Sequence, residues 1–380
     1  MSAGIIPRGQ ASAVLTIDLG ALAANWRTLR DRAHPAECAA VVKANGYGLG
    51  IEQVVPALAK AGCRSFFVAH VSEAVRVRAV LPEAAGPCRI LVLNGPLQDA
   101  ALIPCLAEHG LIPVIGSMPE LRLWLDSTTP LPGALHVDTG MNRLGFAGIE
   151  GAREMADGIR AAGQETRIKL VMSHFVTAEE RGHPLNATQI ASFAAIARLF
   201  PGVPKSLANS SGIFMGACPP YDLVRPGYAL YGGNPVPGQP NPMQPVVRLQ
   251  ARILQTRWIE PGETVGYGAR WTARRRSHLA TLGVGYADGF PLAAGHKDTH
   301  PGGADVIVLG QRCQIVGSVS MDLTVVDVTD VPDSAINAAT QVELLGSNNG
   351  IDELGARSGT FGYEILTSLG QRYHRAYLNE

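Results

Sequence analysis

Val41-Val42-Lys43-Ala44-Asn45-Gly46-Tyr47-Gly48-Leu49-Gly50 is the stretch on which the reading of this chain turns. Residues 38–42 form a short apolar run, the pattern of a parallel strand buried on both faces. The run stops at a lysine and opens into a loop containing Asn-Gly and two further glycines. That pattern puts one amine at the mouth of a core. An isolated lysine at a strand end is ordinarily a snorkelling surface residue. Here the glycines allow backbone to approach a ligand closely, and Tyr47 offers a hydroxyl four residues on. A lysine desolvated in such a mouth has its pKa lowered, as an imine-forming lysine requires.

Working outward, short apolar runs alternate with helical patterns. Strands are expected at 38–43, 65–69, 89–93, 112–115, 134–137, 169–172, 206–208 and 223–225. Helical spacing covers 51–61, 73–80, 118–125 and 188–200. Eight strands alternating with helices fit a (β/α)8 barrel, with a doubly wound open sheet as the competing topology. A barrel predicts that functional residues cluster just after strand ends. The unusual polar residues fall there: Lys43 after the first strand, 138–143 after the fifth, Ser173-His174 after the sixth, 209–212 after the seventh and Arg225-Pro226-Gly227 after the eighth. Barrels commonly bind phosphate with the last two of these loops. Upstream, 12–17 reads as a strand and Asp18 as the N-cap of the helix that follows.

The proline-dense segment 234–242 cannot continue a helix or a central strand. The domain boundary is therefore placed there, giving a barrel over 12–240 and a β-rich domain over 241–380. In the second domain, strands are expected at 246–256, 278–282, 304–309, 313–316, 323–328 and 341–345, with a helix at 363–369.

Composition narrows the function classes. The 380 residues are 46% hydrophobic and 17% charged, with 32 basic and 32 acidic side chains. That balance points to no nucleic-acid partner and no anionic membrane. The six cysteines are scattered without a C-x-x-C pair, so neither a zinc site nor a disulfide frame is expected. Neither a signal peptide nor a transmembrane run is read at the start, and a cytoplasmic location is expected.

The motifs, taken together, resemble those of the alanine racemases. The string Val-Val-Lys-Ala-Asn-x-Tyr-Gly is similar to that family's cofactor-lysine motif, which implies a Schiff base between Lys43 and pyridoxal 5'-phosphate. The resemblance also implies that Tyr47, Ser210, Gly227, Tyr228 and Tyr363 surround the cofactor phosphate, with Asn209 nearby. Leu-Val-Arg-Pro-Gly-Tyr-Ala-Leu-Tyr-Gly resembles the motif whose arginine, here Arg225, faces the pyridine nitrogen. A guanidinium stays charged and cannot accept that nitrogen's proton, so the ring is a weaker electron sink than one paired with a carboxylate. His174 resembles the histidine that supports the arginine. Asp138-Thr139-Gly140-Met141-Asn142-Arg143-Leu144-Gly145 resembles the segment whose arginine, Arg143, contacts the substrate carboxylate. Val265-Gly266-Tyr267-Gly268 is similar to the segment carrying the second base, Tyr267, which in the family reaches the site from the other subunit and so implies a homodimer. Gly285-Tyr286-Ala287-Asp288-Gly289 and Ser320-Met321-Asp322 resemble the strings that line the substrate entrance, where Tyr286 and the Met321 backbone contact substrate.

The resemblance implies interconversion of L- and D-alanine by two bases, supplying D-alanine for peptidoglycan. Three alternatives stay open: a racemase of serine or lysine, a decarboxylase of the same fold, and a cofactor carrier without turnover. The decarboxylases carry a cysteine motif where this chain has Ser318-Val319-Ser320-Met321-Asp322. The carriers resemble the barrel alone. One departure stands out. Two residues before Asp138 many family members have a lysine, often carbamylated into an anion that holds the arginine. This chain has His136, which cannot form that anion, and a small bound anion, or nothing, is expected in its place.

Overall fold

Eight short parallel strands close on themselves in the computed structural model, which describes residues 6–95, 99–219, 221–299, 302–337 and 339–379. The first is split into Glu37–Cys38 and Ala40–Val41. Ser65–Val68, Arg89–Val92, Leu111–Ile115, Gly133–Asp138, Ile168–Met172, Lys205–Ser206 and Leu223–Val224 follow. Neighbouring strands pair in parallel from Ala40 opposite Phe66 round to Lys205 opposite Val171. Backbone bonds from Asp222 N to Lys205 O (3.1 Å) and from Arg225 N to Ala208 O (2.9 Å) join the seventh and eighth strands. Leu223 then pairs with Glu37, which closes the ring. The fold is a (β/α)8 barrel, and the open-sheet alternative falls. Phe66, Phe67, Val68, Ile90, Val114, Ile115, Ala134, Leu135 and Val137 are all buried, as parallel strands covered on both faces must be.

The helices fall close to their expected positions: Ile51–Ala61, Val71–Val80, Met118–Asp126 and Pro184–Ala197. The last begins four residues earlier than its apolar spacing suggested. His183 caps it, its side chain accepting from Leu185 N, and Pro184 occupies the first turn, where a missing N–H costs nothing.

The second sheet is mostly antiparallel and built around one long strand, Val247–Ile259. It pairs with Ala13–Asp18, Ser277–Leu282 and Gln341–Leu345. Asp305–Val308 and Gln311–Gln314 extend one edge, and Thr324–Asp327 lies beside Ser277–Leu282. The expected strand at 313–316 is thus displaced two residues towards the N-terminus. The helix Ile351–Arg357, the strand His374–Leu378 and the short antiparallel pair Thr264–Val265 and Trp271–Thr272 were not expected from the sequence.

The first strand of the chain differs most from expectation. The sequence grouped it with the barrel in a domain over 12–240. In the structure Ala13–Asp18 lies between Val247–Ile259 and His374–Leu378, inside the second sheet. Asp18 then caps the helix Leu19–Ala33, accepting from Ala21 N at 3.0 Å, and the chain enters the barrel. The reason is physical. A strand's partner is set by long-range packing, and its apolar alternation carries no label for which sheet it joins.

Candidate active site

Lys43 stands two residues past the end of the first barrel strand, Ala40–Val41, and leads into a left-handed turn. Ala44, Asn45, Gly46 and Tyr47 have φ of 52°, 57°, 65° and 53°. Four consecutive positive φ values are costly for residues with a Cβ, by roughly 1–2 kcal/mol each. The turn is therefore tied down from several sides. Gly48 N bonds Ala44 O at 2.7 Å and Gly50 N bonds Asn45 O at 2.8 Å. The Asn45 side chain accepts from Ile51 N and from Arg76 Nη2. From the second domain, Arg375 donates to Gly48 O at 2.7 Å and Tyr377 to Leu49 O at 2.9 Å. Such over-determination is how strained backbone persists at a functional site.

The lysine opens into a cavity of ≈ 790 Å³ at the C-terminal ends of the barrel strands. Arg143, His136, His174 and Arg225 share it, and among the described lining residues Glu364 is the only carboxylate. Burial lowers the Lys43 pKa, and Arg143 lowers it further against the pull of Glu73. Arg225 is only 4% exposed. Its guanidinium donates to Ser206 Oγ and to Ser173 O, and its Nη2 lies 3.4 Å from His174 Nδ1. Burial pushes it down to about 10, so it remains a cation at neutral pH. Burial, then Arg225 and Arg143, push His174 down to about 3. His136 falls to about 4 for the same reasons, with Asp138 opposing. Both imidazoles are therefore neutral, and His174 Nδ1 is free to accept from the arginine. Lys43, Arg143 and Arg225 leave the cavity strongly electropositive. Arg143 is presented by a loop wrapped on Asp138, whose carboxylate accepts from Gly140 N, Met141 N and Asn142 N, all at 2.8 Å.

The loops after strands seven and eight meet at Ser210. Asn209 caps the short helix Ser210–Phe214, accepting from Gly212 N at 2.9 Å. Ser210 Oγ accepts from Gly227 N (3.1 Å) and Ala229 N (3.2 Å), so its own proton can be donated outward. A Cβ at Gly227 would overlap the Tyr47 hydroxyl, so a glycine is required there. Four tyrosines stand beside this cradle. Tyr47 stacks on Tyr231 at 4.5 Å, Tyr363 lies 6.4 Å from Tyr47, and Tyr228 stacks on Tyr363 at 3.9 Å.

Ten of the residues singled out in the sequence thus come together: Lys43, Tyr47, Arg143, His174, Asn209, Ser210, Arg225, Gly227, Tyr228 and Tyr363. Three do not line this cavity. Tyr286 and Met321 are partly exposed on two second-domain loops that are hydrogen-bonded together, Tyr286 N to Ser320 O and Ala287 N to Met321 O at 3.0 Å each. Tyr267 is 77% exposed on a turn between Gly266 and Gly268, both at φ 73°. The sequence reading missed Phe67, Leu93 and Met172 in the lining, because an apolar residue at or near a strand end that faces a cavity looks like any core residue, and it missed Thr367, a helix threonine with no motif around it. It also missed Glu179, which accepts the Tyr363 hydroxyl at 3.1 Å.

This donor set fits pyridoxal 5'-phosphate. A depressed-pKa lysine offers a nucleophilic amine, a serine hydroxyl and a glycine-lined cradle suit a phosphate, and a permanent cation suits a ring left unprotonated. A (β/α)8 barrel with such a mouth, followed by a β domain, marks a pyridoxal-phosphate-dependent enzyme of amino-acid chemistry. Comparison with known proteins agrees along the whole chain. Residues 17–235 match the family model "Alanine racemase, N-terminal domain", and residues 246–377 match "Alanine racemase, C-terminal domain". An alanine racemase from Methylobacterium sp. (strain 4-46) is 52% identical over 369 residues, covering 96% of this chain and 97% of that protein. One from Methylobacterium nodulans is 52% identical over 368 residues, covering 96% and 95%. The crystal structure of alanine racemase from Bartonella henselae with covalently bound pyridoxal phosphate superposes with a TM-score of 0.88 at 39% identity, covering 97% of this chain and 100% of that one. The chain belongs to the alanine racemase family, and its cofactor is pyridoxal phosphate. Among the described residues no helix is long and apolar enough to cross a membrane.

Proposed function

We propose that this chain interconverts L-alanine and D-alanine with two fixed bases, Lys43 on one face of the substrate Cα and Tyr267 of the partner subunit on the other. When bound, the cofactor withdraws electron density from Cα and so makes its proton removable. Racemisation needs a proton to leave one face and another to arrive on the opposite face, which two bases with the substrate plane between them achieve directly. The observation that carries the reading is the state of Lys43. Burial and Arg143 lower its pKa, which raises the share of amine able to accept a proton at neutral pH.

Around that base, Arg143 orients the substrate carboxylate. Tyr47, Ser210, Gly227, Tyr228 and Tyr363 hold the phosphate, with Asn209 nearby, and Arg225 backed by His174 faces the ring nitrogen. Tyr286 and the Met321 backbone meet substrate at the entrance. Residues 12–240 act as the cofactor-binding barrel and 241–380 as the unit that supplies the second base, with Ala13–Asp18 crossing into its sheet. The exposure of Tyr267 away from its own chain's cavity supports a homodimer with shared sites. The role that fits is supply of D-alanine for peptidoglycan in the cytoplasm.

The test is deuterium incorporation from D2O into L-alanine, L-serine and L-lysine by wild type and Tyr267→Phe. Exchange into alanine with appearance of the D-enantiomer, strongly reduced in Tyr267→Phe in the L-to-D direction, is the expected result. Faster exchange into serine or lysine would move the substrate. No exchange into any of the three would sink the reading.

A further inference from the structure

Tyr228 immediately follows the Arg225-Pro226-Gly227 turn, and its surroundings are shaped to its ring. A Cβ at Gly233 would overlap its ring edge, and a Cβ at Gly362 would overlap its hydroxyl. Two glycines thus clear space for this one side chain. The hydroxyl donates to Asp352 Oδ1 at 2.7 Å, and Asp352 Oδ2 accepts from Asn234 N at 3.0 Å. Asp352 belongs to the helix Ile351–Arg357 of the second domain, so the contact bridges the last barrel loop and the β-rich unit.

The other face of the ring carries Tyr363. The two rings stack at 3.9 Å and 12°. Tyr363 sits in the first turn of the helix Gly362–Ser368, half exposed, and walls the cavity. A half-exposed aromatic side chain ordinarily changes rotamer on the picosecond to nanosecond scale. This one is tied at its hydroxyl to Glu179 and held across its face by a ring that is itself fixed at its far end by a carboxylate. A stacked pair backed by a charge-assisted hydrogen bond biases such a ring by roughly tenfold or more.

We infer that Tyr228 and Asp352 are positioning residues: they fix the Tyr363 ring across the cavity and thereby limit the substrate side chain to one of about alanine's size. The inference rests on the proposed function, in which Tyr363 borders cofactor and substrate. On the Tyr363 ring, Asp352 acts through the Tyr228 hydroxyl and Tyr228 through its stacked ring; the bond from Asn234 N to Asp352 and the proposed place of Tyr228 beside the phosphate are separate contacts. The two substitutions that break this chain therefore have the same effect on that ring, and combining them adds nothing.

Binding of phosphopyridoxyl-L-alanine and phosphopyridoxyl-L-leucine to the apoprotein, measured by titration calorimetry, tests this without turnover. The proteins are wild type, Tyr228→Phe, Asp352→Ala and the double variant. Tyr228→Phe keeps the ring and the fold, and Asp352 is an exposed residue. The preference for the alanyl over the leucyl conjugate should fall about tenfold in each single variant and no further in the double. The ratio of kcat/KM for alanine over 2-aminobutyrate should fall in parallel. A purely structural role would lower the melting temperature and leave these ratios in place. A preference within about twofold of wild type in both single variants, or strictly additive losses in the double, overturns the inference. If wild type bound neither conjugate, the reading of the cofactor site would fall and take the inference with it.

Discussion

His136 lies buried beside the site's arginines, and its chemistry makes two predictions. It is buried and neutral, held down to about 4 by burial, Arg225 and Arg143. In the unfolded chain it titrates near 6.5. The folded pKa lies below the unfolded one, so the unfolded state binds more protons between those values. The stabilisation is fully present above about pH 6.5 and is lost as pH falls towards 4. At pH 5 the loss amounts to about 2 kcal/mol for one such histidine, and His174 adds a second contribution of the same sign. His136→Gln should therefore show a shallower fall in unfolding free energy between pH 7 and 5 than wild type. Equal slopes in denaturant titrations would refute the assignment. The same neutrality leaves Arg143 without a fixed anion from position 136. Turnover should rise on adding chloride, and flat activity across the halides would show that nothing replaces the missing charge.

At the scale of elements, the left-handed turn after Lys43 matters most, and the last strand of the chain secures it. Arg375 spends its guanidinium on three carbonyls, Gly48 O, Leu369 O and Gly370 O. A Cβ at Gly48 would overlap Leu366 O, so the turn packs directly on the helix Gly362–Ser368. Arg375→Met keeps the apolar stem and removes all three bonds. It should cost about 3 kcal/mol or more in stability and lower kcat more than it raises KM, because the base is displaced rather than the substrate lost. A melting curve and steady-state kinetics check both parts, and an unchanged kcat would show that the turn holds without its arginine. This coupling was invisible in the sequence, where 374–378 carried no motif and its partner, Ala13–Asp18, lies more than 350 residues away. The barrel strands were legible because most of the apolar runs give way to polar residues, and Lys43, Arg143 and Arg225 were legible because they stand at or just after those ends. Glu179, in a turn, and Asp352, in the first turn of a helix, were not, since a surface carboxylate carries no sign of the tyrosine it will meet.

At the scale of the whole molecule, the described chain keeps Lys43 in its cavity and leaves Tyr267, the proposed second base, on its surface. Tyr267 lies on a glycine-flanked turn with few side-chain neighbours, a poor position for packing and a good one for insertion elsewhere. If each site takes Lys43 from one subunit and Tyr267 from the other, two inactive variants must complement. In a mixed dimer of Lys43→Ala and Tyr267→Phe, one site combines both substitutions and is dead. The other combines the intact lysine of the second chain with the intact tyrosine of the first. Random pairing makes half the dimers mixed, each with one working site of two, so co-expressed variants should recover about a quarter of wild-type racemisation per subunit. The separately purified variants should show almost none. Recovery should vanish on dilution below the dimer dissociation constant and return on concentration, a dependence that a within-chain site would not show. A mixture no more active than its components, with mixed dimers demonstrated by differential tagging, would place both bases in one chain and remove the reason for the exposed tyrosine.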